Sequence, residues 1–218
     1  LHSDTRRQRQ MCIRDRHNCT HIPSQPWCPA CVAGKKPNSP HKRQAEGEHL
    51  VPEIGLDYAF LRESDNDETL TVLVMKDRDS KTIFADVVEM KGRGIEGTVE
   101  NVVKNIAKLG YKKVILCSDQ EPAIIDLIEG VIAERQEPTT PQNSPVGESQ
   151  SNGLVERAVR SVKDQVRTLR LALQKRVGCR IPVDHPIMTV MVKHAGELIS
   201  KYQLNRDGQT AYFKVYGK

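Results

Sequence analysis

From residue 51 onward, apolar and polar positions fall into blocks that predict secondary structure directly. EIGLDYAFL (53–61), TLTVLVMKD (69–77) and KTIFADVVEM (81–90) read as three consecutive strands, with a charged turn at 62–68 and a tight one at 77–80. Ile95, Val99, Val102, Val103 and Ile106 then recur at helical spacing, and Gly110 supplies the stop. KKVILCSD (112–119) predicts a fourth strand, whose apolar run VILC suits a buried central position. A helix follows from Pro122, with Ile124, Ile125 and Ile128 on its apolar face. Residues 137–151 are turn formers with almost no apolar content and predict a loop. Long helices are expected over 152–176 and 184–202. Three strands, a helix, a strand and then mostly helices predict an α/β domain built on a mixed sheet.

The N-terminal fifty residues lack this patterning. Residues 1–16 carry five arginines and no periodicity, and RQRQMCIRDR resembles translated sequencing-adaptor sequence. We read 1–16 as a disordered or artefactual leader, 17–50 as a Cys- and His-bearing unit with a polar linker, and 51–218 as the main domain. Charge agrees with this division. The chain has 33 basic and 28 acidic side chains, and residues 1–50 hold 9 and 4 of them, so residues 51–218 hold 24 of each. No strictly apolar run exceeds four residues, which excludes a membrane-spanning helix or an ordinary signal-peptide core. Without a secretory signal, the six cysteines are read as thiols or metal ligands rather than disulfides.

Three acidic residues stand out by context. Asp57 lies mid-strand on the face shared by Gly55, Ala59 and Leu61, where a carboxylate is costly unless paired, hydrogen-bonded or bound to a cation. Asp119 ends the fourth strand, where α/β sheets place ligand groups. Pro122 suits the first helical position, so Glu121 is the expected helix cap and Asp119 lies just outside it. Glu156 opens the long helix. Taken singly, these residues read as a salt-bridged strand Asp, a helix cap and a carboxylate favoured by the helix dipole. The long helix changes that reading. Val155, Val159, Val162, Val166, Leu169 and Leu173 form one apolar stripe, while Glu156, Arg160, Lys163, Arg167 and Arg170 form another row. A cationic ladder leading to a carboxylate suits a phosphate backbone running towards a metal.

GLDYAFL, VILCSDQEPAI and SQSNGLVERAVRSVKDQVRTL together resemble the catalytic core of retroviral and retrotransposon integrases. Sixty-one residues separate Asp57 from Asp119, and 36 separate Asp119 from Glu156, close to that family's pattern. The N-terminal HxxxH and CxxC and the tail DGQTAYFKVYGK are most similar to the copia-type branch. The resemblance implies a ribonuclease-H-like mixed sheet flanked by helices, with Asp57, Asp119 and Glu156 as a catalytic triad holding two Mg2+ or Mn2+ ions. It implies that Asp57 bridges both ions while Asp119 and Glu156 each complete one site. Hard cations prefer carboxylate oxygen, and a pair of them suits phosphoryl transfer. It further implies that Asn152 and Gly153 contact DNA, as Arg160, Lys163 and Arg167 of the cationic row are expected to, and that the partners are element ends and target duplex. Homo-oligomers, a nuclear site of action and a cytoplasmic retroelement particle belong to the same expectation, as does a C-terminal DNA-binding region beyond Lys218.

Ahead of the core, His17-x3-His21 and Cys28-x2-Cys31 have spacings suited to tetrahedral zinc, with Cys19 and His41 as alternatives to His17. A redox CxxC would sit in a strand–helix frame, which the sequence does not supply. Only six residues separate His21 from Cys28, so a zinc-stapled loop is expected rather than a helical domain. Two other classes share these features: a non-catalytic nucleic-acid-binding remnant, and a ribonuclease-H-like nuclease or transposase.

Overall fold

A computed structural model describes residues 12–34, 51–62, 69–93, 97–143 and 149–217, with the side chains of 149–152 left aside. In chain order the elements are α1 (12–20), α2 (Pro29–Gly34), β1 (Glu53–Leu61), β2 (Leu70–Asp77), β3 (Ile83–Val87), α3 (Thr98–Lys108) and β4 (Val114–Ser118). They continue with α4 (Pro122–Glu134), β5 (Thr139–Asn143), α5 (Ser149–Val177), α6 (Ile187–Tyr202) and α7 (Ala211–Tyr216).

The strands form one mixed sheet in the order β3-β2-β1-β4-β5. β1, β2 and β3 are an antiparallel meander, whereas β4 runs parallel to β1 and β5 parallel to β4. Each sheet face buries its own core. Ile54, Leu56, Tyr58, Leu73, Met75 and Leu116 pack under α3 and α4. On the opposite face, Ala59, Val72, Val74 and Ala85 pack under α5 and α6. The alternation read in the sequence therefore assigns Asp57 to the α5 side. Val155, Val162 and Val166 are buried there, and Val159, Leu169 and Leu173 pack against them, so the predicted stripe is the seam of α5. Among the described residues no helix is long and apolar enough to cross a membrane.

Four elements differ from the sequence expectation. The segment 139–143, expected as loop, is strand β5; it is an exposed polar edge strand, where Thr139 and Thr140 favour extension and Pro141 is tolerated. Residues 12–16, assigned to an unstructured leader, are the first turns of α1, with the Thr20 hydroxyl bonded to the Arg16 carbonyl; residues 1–11 lie outside the described residues. The last long helix starts at Ile187 rather than 184, because His185 turns its Nδ1 to accept the Ile187 N–H ahead of the helix. The tail adds α7, capped by the Thr210 hydroxyl accepting from the Phe213 N–H.

Edge strand β3 is closed by α6. Gly196 passes so near that a Cβ there would lie 3.2 Å from the Ala85 nitrogen. One turn on, buried Ser200 accepts from the Ile83 N–H at 2.9 Å and donates to the Ile83 carbonyl at 3.1 Å. Ser200→Ala strips both backbone groups of their partner in a buried site. The expected loss is about 1–3 kcal/mol, read as a lower urea midpoint at unchanged m-value. An unaltered midpoint would show that water satisfies the edge.

Candidate functional site

β1 and β4 pair in parallel as far as Gly55 opposite Cys117, two residues before Asp57 on β1 and two before Asp119, which follows the end of β4. α5 reaches the same place by close packing. A Cβ on Gly55 would stand 3.0 Å from the Val155 Cβ, so the first turns of α5 lie directly on β1. Glu156, the next residue, is exposed, and its charge acts on Asp57. Asp119 is fixed locally, its Oδ1 accepting the Glu121 N–H at 3.0 Å. Glu121 caps α4 and Pro122 occupies its first turn, as the sequence indicates.

The electrostatics tie these residues together. Burial pushes the half-buried Asp57 carboxyl up to about 6, the Asp119 anion adds to this, and Glu156 and Glu121 act in the same direction. Carboxylates that raise one another in this way are of the chemistry that could hold a divalent cation. Asp57, Asp119 and Glu156 do not close into a tight ligand set. Among the described residues, only the His/Cys cluster gathers three or more donor atoms within 4.8 Å of one another.

A carboxyl that titrates near 6 when folded and near 3.8 otherwise binds more protons in the folded chain between those values. Metal-free stability should therefore decline as pH rises from about 4 to about 6 and stay lower above that. The slope should shrink in Asp57→Asn. Equal slopes for the two proteins in magnesium-free urea titrations would remove Asp57 as its source.

The zinc-ligand cluster is more complete. His17 and His21 lie on and just after α1, Cys28 precedes α2 and Cys31 lies within it, and all four are buried. His17 Nε2 is 3.4 Å from the Cys31 sulfur, and His21 Nδ1 is 3.3 and 3.6 Å from the sulfurs of Cys28 and Cys31. Zinc bonds of about 2.1 Å to nitrogen and 2.3 Å to sulfur give a tetrahedral N–S edge of about 3.6 Å. The donor set can thus hold zinc. His21 adopts a left-handed backbone (φ 54°) that turns the chain out of α1. The stapled loop expected from the short spacing is instead a pair of short helices. Cys19 is exposed and outside the cluster, and His41 lies outside the described residues.

This unit docks on α5. Gln165 donates to the Thr20 carbonyl at 2.5 Å, Arg167 donates to the Gly34 carbonyl at 3.0 Å, and Ile22 enters the core. Of the predicted DNA contacts, Arg160 is exposed, Lys163 is half-buried, and Arg167 is engaged by Gly34 and by Asp164. Among the described residues Gly153 has no neighbour within 4 Å of where a Cβ would be. The side chain of Asn152 lies outside the described residues. His185 and His194 join no cluster of three or more potential ligands among the described residues. Sequence reasoning did not single out Trp27, whose ring meets His17 edge-on at 4.7 Å with Arg14 stacked 5.5 Å from it. The lone tryptophan between the two ligand pairs was the available signal.

No protein-family model matches this sequence, and no curated protein is similar enough to count as a relative. Solved structures do match in shape. A chain of the simian T-cell lymphotropic virus intasome, in complex with the PP2A regulatory subunit B56 gamma, has a TM-score of 0.59 at 18% identity, covering 87% of this chain and 63% of its own. The HTLV-2 integrase catalytic core domain, in complex with magnesium, has a TM-score of 0.53 at 14% identity in its trimeric form, covering 78% of this chain and 99% of its own. Its dimeric form has the same TM-score and identity, covering 76% and 97%. The present chain spans less than two thirds of the intasome chain. The mixed five-stranded sheet with flanking helices is thus the ribonuclease-H-like, integrase-type fold, preceded by a segment able to bind zinc.

Proposed function

We propose that this chain is the zinc-bearing segment and catalytic core of a retroelement integrase, which joins element DNA ends to target DNA by metal-dependent phosphoryl transfer. One observation carries the reading: on an integrase-type fold, the charges of Asp119 and Glu156 converge on a half-buried Asp57 whose carboxyl is raised to about 6. A strand-middle Asp serving only as a salt-bridge partner would be lowered by a cation, whereas the charges acting on this one are carboxylates that raise it.

Asp57, Asp119 and Glu156 would hold two Mg2+ or Mn2+ ions, which supply an activated oxygen nucleophile and relieve charge on the leaving oxygen. The chain's own residues do the placing. The parallel pairing of β1 with β4 and the Gly55–Val155 contact support such a placement, since they bring the strand of Asp57, the strand ahead of Asp119 and the first turns of α5 together. Arg160 and Lys163 follow Glu156 along α5 and would guide the phosphate backbone of a DNA end towards it. Asn152 and Gly153 would meet the DNA at the head of that helix. The HxxxH, CxxC and tail motifs favour a copia-type element. We further assign a homo-oligomeric assembly acting in the nucleus, carried beforehand in a cytoplasmic particle.

The test is joining of a labelled duplex end to a second duplex, beside a binding titration at several salt concentrations. Joining should require Mg2+ or Mn2+, and binding should weaken steeply with salt. Salt-sensitive binding without joining would favour the non-catalytic remnant. Cleavage of an RNA strand in a hybrid, without joining, would favour a nuclease.

A further inference from the structure

Asp119 is held on both sides. The Ser118 hydroxyl, one residue before it, donates to the Asp119 carbonyl at 3.0 Å. The Glu121 N–H, two residues after it, donates to Asp119 Oδ1 at 3.0 Å and closes an Asx-type turn ahead of α4. The other carboxylate oxygen, Oδ2, has no hydrogen-bond partner among the described residues. One oxygen thus fixes the carboxylate, and the other is left for a ligand.

Ser118 is the unusual residue. It continues the face of β4 that carries Val114 and Leu116, both buried in the core under α3 and α4, and it is itself 0% exposed. The pattern of the strand calls for an apolar residue there, because a buried hydroxyl is costly unless it is bonded. Its bonds lead to Asp119 and to the neighbouring strand. β5 pairs with β4 in parallel, with Asn143, the last residue of β5, opposite Ser118, so the two side chains stand on the same face. The Asn143 amide lies 3.3 Å from the Ser118 hydroxyl. A hydroxyl has one proton, and the nearer Asp119 carbonyl takes it. An asparagine amide can turn its N–H to the hydroxyl oxygen instead. Asn143, Ser118 and Asp119 then make one chain of hydrogen bonds ending on the backbone of Asp119.

We propose that Ser118 is a positioning residue. Its hydroxyl, steadied by Asn143, fixes the backbone at Asp119 so that Oδ1 stays on the Glu121 N–H and Oδ2 faces the divalent cation. The inference rests on the metal-dependent reading of Asp57, Asp119 and Glu156. Two readouts test it apart from activity. In the zinc-loaded chain without other metal, the Glu121 amide reports the Asp119 carboxylate. In Ser118→Ala its resonance should move and its exchange should quicken by roughly tenfold, the size of one hydrogen bond lost. Mn2+ titrated into the same chain and followed by electron paramagnetic resonance should bind roughly tenfold more weakly, as when a carboxylate ligand loses its support. Joining should slow at unchanged DNA affinity. Ser118→Thr keeps the hydroxyl and should behave as the parent in both readouts. A hydroxyl that served only the packing of β4 would lower the urea midpoint of Ser118→Ala and leave the Glu121 amide and the Mn2+ affinity unmoved. That result overturns the positioning role alone. Should Ser118→Ala not fold, Asn143→Ala, at an exposed position, decides by the same readouts in the same direction. Parent-like Mn2+ binding in Asp119→Asn overturns the metal reading and the positioning role together.

Discussion

Glu156→Gln is expected to lower strand joining by roughly a thousandfold, about 4 kcal/mol in the barrier, while leaving the fold and the DNA affinity in place. The substitution keeps side-chain volume and removes only the charge that would anchor one cation. Glu156 is exposed, so no buried contact is lost, and Val155, which seats the helix on Gly55, is untouched. DNA affinity should hold or rise slightly, because an anion beside the phosphate path has gone. Asp57 provides an internal reporter. Losing Glu156 removes one of the charges that raise its carboxyl, so the Asp57 titration should move down from about 6, though burial and Asp119 keep it above the ordinary range. Joining by Glu156→Gln at the parent rate would remove this residue from the catalytic set. A lowered rate with an unmoved Asp57 titration would place Glu156 elsewhere on the rim.

The sheet was legible because each central strand carries a period that only one arrangement satisfies. Ile54, Leu56 and Tyr58 face one core and Ala59 and Leu61 the other, and this alternation alone puts Asp57 on the second face. The seam of α5 was legible for the same reason. β5 was not, since an exposed edge strand buries too little to leave a hydrophobic pattern, and TTPQN reads as a turn. The zinc unit was half legible. Ligand spacing marks His17, His21, Cys28 and Cys31, but their helices are too short to show periodicity, and the docking surface on α5 is polar (Gln165, Thr168 and Arg167). That polarity also explains why Arg167 read as part of a cationic ladder. Its partner is a carbonyl 133 residues away in sequence, which no local pattern encodes.

Loss of zinc should undo residues 12–34 while the sheet survives. Cys31 is 1% exposed, and its sulfur faces both histidines, so Cys31→Ser removes the most central of the four donors. Without the ion, two short helices with few apolar contacts must hold themselves together, which helices of that length do not do in water. Amide protons of residues 12–34 should then exchange freely. The main domain should lose only the support of Ile22 and of the Gln165 and Arg167 bonds, lowering its melting temperature by roughly 5–10 °C. Cys19→Ser should retain zinc, since that thiol is exposed and outside the cluster. Gly34→Ala separates zinc binding from docking. Its Cβ would lie 2.3 Å from the Thr168 Oγ1 and 3.0 Å from the Thr168 Cα, and rotating the threonine cures only the first clash. This variant should keep its zinc and its ordered ligand cluster, yet melt earlier and expose the α5 face that carries Gln165 and Thr168. Full zinc content with an unchanged melting temperature in Gly34→Ala would show that the unit is not docked on α5 in solution. Full zinc content in Cys31→Ser would instead reject the ligand set itself.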